Sequence, residues 1–228
     1  MGAAVLKKQF ESVLGGARDW QYRPEPELVP TGVAEVDSAT GGLPRGCLTE
    51  IVGPASSGRT SLLLSILAAA TARQEFCALV DAEDAFAPHS AAGAGVQLSR
   101  LLWVRCGHSA EHALKAADLL IQGGGFGMVV MDLGDTAPQT ARRISLTSWF
   151  RLRRAVEHTP TVLLSIARQP NAKTCASLVI ECVRNAENWS GARHTSRLLR
   201  GFDVRAQSLK SSMKRRSLCS PVFTARAI

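Results

Sequence analysis

What the chain lacks narrows its class. Its 228 residues contain no uncharged apolar run of about 18, the length at which a helix begins to span a bilayer, so no membrane partner is expected. Met1 to Leu14 carry Lys7, Lys8 and Glu11 without a long apolar segment or a small-residue cleavage site. That argues against secretion and for a cytoplasmic protein. Six cysteines, at positions 47, 77, 106, 175, 182 and 219, are scattered and several fall within predicted strands. They read as reduced, buried thiols rather than a disulfide framework. Cys106, His108 and His112 share metal-ligand chemistry but have no fourth ligand nearby and fall at a strand–helix turn, so a metal centre there is rejected.

Net charge is absent from most of the chain. Up to Ala192 eighteen basic side chains meet eighteen acidic ones, and from Arg193 onward nine basic groups face Asp203 alone, which gives the whole +8. A basic end on a neutral body suits a polyanion; it equally suits a solvated terminus or a docking peptide for an acidic protein. The segment has few aromatic rings to stack on bases, so any nucleic-acid contact made there should be independent of sequence.

What is present is organised around Gly53-Pro54-Ala55-Ser56-Ser57-Gly58-Arg59-Thr60. The apolar run Leu48–Val52 before it reads as a strand, and the Leu- and Ala-rich run Ser61–Ala70 after it as a buried helix. A glycine-bounded loop between strand and helix is a phosphate cradle, because its N–H groups converge and the helix start adds partial positive charge. The spacing is that of a P-loop, with Thr60 placed for Mg²⁺ and with Arg59 where lysine is usual.

Further along, Phe76–Asp81 reads as a strand ending in Asp81, Glu83 and Asp84, and Leu101–Arg105 as another strand. A helix is predicted over Ala110–Gln122, a strand over Gly127–Asp132 and a helix over Arg142–His158. Strands are predicted at Thr161–Ile166 and Ser177–Val183, with one more near the sheet edge over Arg197–Ala206. Residues 2–15 have helical spacing, and Arg23–Glu27 reads as an extended proline-containing linker. The alternation predicts an α/β fold: a mainly parallel sheet with helices on both faces, a short N-terminal helix and a basic tail. The expected domains are 1–29 (helix and linker), 30–207 (nucleotide-binding core) and 208–228 (tail).

Ligands of such sheets sit beyond the carboxyl ends of the strands. There Thr60 and Asp132 suit Mg²⁺, Asp132 in the Walker B role, and Glu83 suits the orientation of a water. The alternatives are a strand-terminal surface carboxylate for Asp132 and an ordinary loop acid for Glu83.

These residues resemble the RecA family. The resemblance runs through Thr31-Gly32, Val36-Asp37, Gly41–Gly46 and Glu50–Gly58 into the P-loop, then Asp81-Ala82-Glu83 with Ala85 and Pro88, and covers residues 30–183. It implies a RecA-like ATPase core using ATP and Mg²⁺, with Glu83 as catalytic base and Arg59 at the phosphates. It also implies DNA-repair and SOS damage-response biology, DNA (single-stranded, sequence-independent) as partner, and self-association. The departures are Arg59, short connections at Leu133–Gln139 and Ala167–Thr174 where the family has DNA-binding loops, and Arg168 near the family's phosphate-sensing glutamine. Size and short loops look more like the ImuA-type accessory proteins of translesion synthesis, which implies a translesion polymerase or other repair protein as partner and weak ATPase activity. A non-catalytic adaptor is the alternative, with a damage-induced cell-division inhibitor a more distant one.

Overall fold

The computed structural model describes residues 25–190, 197–211 and 220–226. The helix expected over 2–15, the linker before residue 25, and Lys214–Arg216 lie outside the described residues.

Strand β3 (Leu48–Val52) is buried at every position, as a parallel strand covered on both faces must be. It pairs with β7 (Val162–Ala167) on one side and β8 (Leu178–Ser190) on the other, both parallel. Beyond β7 lie β6 (Met128–Asp132), β4 (Cys77–Asp81) and the edge strand β5 (Leu101–Arg105), all parallel. On the far side β8 pairs antiparallel with β9 (Leu198–Ser211), and β9 with β10 (Val222–Arg226). The order of the eight-stranded sheet is β10-β9-β8-β3-β7-β6-β4-β5. A two-residue ribbon of β1 (Leu28–Val29) and β2 (Leu43–Pro44) brackets helix α1 (Ala34–Thr40) and leads the chain into β3.

Helix α2 (Arg59–Ala72) is apolar nearly all round and buries Leu62, Leu63, Leu64, Ile66, Leu67 and Ala70 on one face of the sheet, as expected of an inner helix. A short helix, α3 (Pro88–Gly93), places Ala91 in the same layer. The opposite layer holds α4 (Ala110–Gly123), whose Ala110, Ala113, Ala117 and Ile121 make a small-residue stripe against the strands. After the single turn α5 (Pro138–Ala141), α6 (Leu146–Val156) adds Trp149, Leu152 and Val156.

Three expectations are corrected. The helix predicted from Arg142 begins at Leu146, because the Ser145 hydroxyl accepts the Ser148 N–H at 3.1 Å and caps the helix there. Phe150 then faces outward, 40% exposed. The strand expected over Arg197–Ala206 lies near the sheet edge as expected, second from it, but runs on to Ser211. The edge is β10, within the expected tail. Its Phe223 and Ala225 alternate into the core beside α1 and α2, a period-two signal too short to stand out in a basic segment.

Candidate nucleotide site

The cradle forms because only glycine fits its two ends. Gly53 closes β3 at φ 153°, and a Cβ there would lie 2.3 Å from the Cys182 carbonyl oxygen and 2.6 Å from Ser57 Oγ. Gly58 has φ 92°, and its Cβ would meet Val204 Cγ2 at 2.3 Å. Between them Ser56 takes a left-handed turn at φ 57°. The N–H groups of the first turn of α2 have no acceptor within the helix. Ser57 Oγ is buried without a partner, an orphaned donor that a phosphate oxygen would satisfy. The residues present therefore fit a phosphate group.

Arg59 opens α2 and is 6% exposed. Its Nη1 and Nη2 each donate to the Gly134 carbonyl at 3.2 Å, while Nε is buried without a partner. Burial pushes its pKa down, against the pull of Asp132 and Asp135, and Arg168 adds to the lowering. Thr60 follows, exposed on the first turn of α2. Asp132 ends β6, where Oδ1 accepts the Gly134 N–H at 2.8 Å. Part of the residue reaches the surface, but its carboxyl is enclosed. That burial pushes its pKa up to about 6, with the Gly134 N–H working against the shift.

Glu83 lies just past β4. Thr136 Oγ1 donates to its Oε1 at 2.8 Å, and His108 Nδ1 lies 3.1 Å from its Oε2. Asp81 is 2% exposed and committed to shaping that turn. Its Oδ1 accepts the Ala85 N–H, and its Oδ2 accepts the Phe86 N–H and the Trp103 Nε1–H. Asp84 pairs with Arg105 at 3.0 Å.

The carboxyl ends of β4 and β6, neighbours in the sheet, thus carry Glu83 and Asp132, and the cradle follows β3, separated from β6 by β7. The residue that departs from the lysine-bearing pattern is turned toward the loop after β6. Arg168, at the end of β7, sends Nε to the same Gly134 carbonyl at 3.3 Å. Sequence reasoning missed Thr136, His108, Gly134 and Val204. His108 was weighed only as a metal ligand, and the other three carry no spacing signal.

Comparison with known proteins places the chain in a family. The RecA N-terminal domain family matches residues 10–141, more than half of the chain. The chain belongs to the RecA family. Among its relatives, Protein RecA of Kineococcus radiotolerans is 42% identical over 114 residues, 49% of this chain and 32% of that protein. Protein RecA of Mesorhizobium japonicum is 35% identical over 158 residues, 62% of this chain and 43% of that protein. Protein RecA of Chloroflexus aurantiacus is 34% identical over 156 residues, 61% and 44% respectively. The chain spans less than half the length of each of these RecA proteins. Among the described residues no helix is long and apolar enough to cross a membrane.

Proposed function

We propose that this RecA-family chain is a cytoplasmic ATP-binding protein of DNA repair and the SOS damage response, an accessory factor for translesion synthesis with weak ATPase activity. The observation that carries the reading is the phosphate-fitting cradle Gly53–Thr60, with Glu83 and Asp132 on neighbouring carboxyl ends of the same sheet. Gly53, Pro54, Ala55, Ser56, Ser57 and Gly58 wrap the phosphates, the donors being the backbone N–H groups of all but Pro54 together with the start of α2. Mg²⁺, held by Thr60 and Asp132, would neutralise phosphate charge. Glu83 orients the attacking water, fastened by Thr136 and His108. Arg59 serves the phosphates once it leaves Gly134, its planar fork matching two phosphate oxygens. Hydrolysis is slow because a planar guanidinium cannot place one compact ammonium between the terminal phosphates.

Single-stranded DNA, held through basic residues beyond Ala192, a translesion polymerase or other repair protein, and further copies of the chain are the proposed partners. The second reading, a non-catalytic adaptor built on the same fold, is favoured by one observation: Arg59 is engaged by Gly134 rather than turned to the cradle. Steady-state ATP turnover, with and without single-stranded DNA, separates the two. The ATPase reading predicts slow turnover that Glu83→Gln lowers with affinity nearly intact, and Asp132→Asn weakening the dependence on Mg²⁺. Tight ATP binding with no turnover under any condition would favour the adaptor.

A further inference from the structure

The short loop after β6 joins two parts of the site that the sequence keeps far apart. Its Gly134 carbonyl receives Nη1 and Nη2 of Arg59, each at 3.2 Å, and Nε of Arg168 at 3.3 Å. Its Gly134 N–H is fixed on Asp132 Oδ1 at 2.8 Å. Two residues on, Thr136, 2% exposed, donates its hydroxyl to Glu83 Oε1 at 2.8 Å. The arginine of the cradle and the water-orienting glutamate therefore hold the same loop.

The seat of Arg59 is a poor one. A carbonyl oxygen has two lone pairs, and here three N–H donors converge on it. Arg59 Nε is buried with no partner, which is costly for a cation whose five donors all seek acceptors. Arg168, of like charge, crowds the same oxygen. A nucleotide phosphate would offer full negative charge and several acceptor oxygens to the same fork. Arg59 directly follows Gly58, so it is attached at the rim of the cradle.

We propose that Arg59 exchanges between the Gly134 carbonyl and the phosphates of a bound nucleoside triphosphate, and that Thr136 carries the resulting shift of the loop to Glu83. Arg59 and Thr136 are then positioning residues for the water-orienting carboxylate, and nucleotide occupancy sets where Glu83 stands. The inference rests on the nucleotide-binding reading above and adds to it how that site is regulated.

The test uses the full chain and hydrogen exchange of the amides of 133–136, with Mg²⁺ and a non-hydrolysable ATP analogue, nucleotide binding being followed separately by calorimetry. In the wild type, saturating analogue should speed exchange in this loop by about fivefold, the loss of hydrogen bonds worth about 1 kcal/mol. Exchange in β7 should not change. Arg59→Ala should show the faster exchange before nucleotide is added and no further change afterwards. Thr136→Val should lower kcat with KM unchanged, and Thr136→Ser should restore kcat, which a merely structural fastening of the loop would not produce. Loop exchange indifferent to nucleotide while calorimetry shows saturation would overturn the exchange of Arg59. Unchanged exchange in nucleotide-free Arg59→Ala would overturn its hold on the loop. No heat of binding would bring down the nucleotide reading itself, and the exchange with it.

Discussion

Strand β9 presses on the cradle at one point, and that contact can be measured. A Cβ on Gly58 would lie 2.3 Å from Val204 Cγ2, and Val204 is fully buried. In Gly58→Ala the new side chain must hold φ near 92°, a left-handed conformation that costs an L-residue about 1–2 kcal/mol. The overlap with Val204 adds about 1–3 kcal/mol, as overpacking of a filled core does. Val204→Ala alone should cost about 2 kcal/mol, from two lost methyl groups and the space they leave. In the double variant the Cγ atoms are gone, although the remaining Cβ at residue 204 still lies 3.2 Å from the new group. Most of the overlap disappears and the backbone strain stays. The double variant should therefore be more stable than the sum of the single variants by about 1–3 kcal/mol. Urea unfolding without nucleotide measures all four proteins, with equal m-values as the check that the unfolding reaction is unchanged. Additivity within about 0.5 kcal/mol would refute a direct contact between β9 and the cradle.

Glu50 sits in the middle of β3, 0% exposed; its Oε1 accepts the Asn171 and Ala172 N–H groups, and its Oε2 is buried without a partner. Burial raises its pKa from 4.5, so the folded state holds the proton more tightly than the unfolded one. Stability is then lost as pH rises above 4.5 and through the raised value, and Asp132 acts in the same direction up to about 6. Glu50→Gln should flatten the fall of Tm with pH; an unchanged slope would show that Glu50 contributes none of it. Replacing Lys214, Arg215 and Arg216 by alanine should reduce the slope of log K against log salt for single-stranded DNA by about 2, at about 0.7 per phosphate contact. An unchanged slope would leave that segment to protein partners. Substitution is a cleaner test than cutting the chain after Met213, which would also remove β10. Phe223→Ala should cost about 3 kcal/mol in urea unfolding, since its ring is 6% exposed in the core; a cost under about 0.5 kcal/mol, the usual surface value, would contradict the pairing of β10 with β9.

The central sheet was legible because buried parallel strands are short and mainly apolar, as in Met128–Asp132 and Val162–Ala167, and even Leu48–Val52, which carries Thr49 and Glu50, keeps β-branched residues directly before the glycine loop. The cradle was legible because backbone geometry forces glycine at fixed spacing. At the other edge the strands at Ser177–Val183 and Arg197–Ala206 were read, but their extension to Ser190 and Ser211 and the strand β10 were not. From Val183 to Trp189 β8 is exposed and mixes polar with apolar residues, and β10 is only five residues long, so neither stretch carries a sustained apolar pattern. The direction of the Arg59 side chain was also invisible. Spacing places a basic residue at the cradle, whereas its partner Gly134 is a backbone carbonyl that any residue supplies. Thr136 and His108 met Glu83 only through the fold, since the loops bearing them follow β6 and β5 on either side of β4.

The central claim is that Gly53–Thr60 binds a nucleotide, and calorimetric titration of the full chain with ATP and Mg²⁺ tests it most directly. The account predicts saturable binding at one site per chain, weakened about tenfold in Arg59→Ala, the effect of losing a charge-assisted hydrogen bond of about 1.5 kcal/mol. Arg59→Lys should keep the affinity. A folded wild-type protein that takes up no ATP, or equal affinity in the wild type and Arg59→Ala, would contradict it.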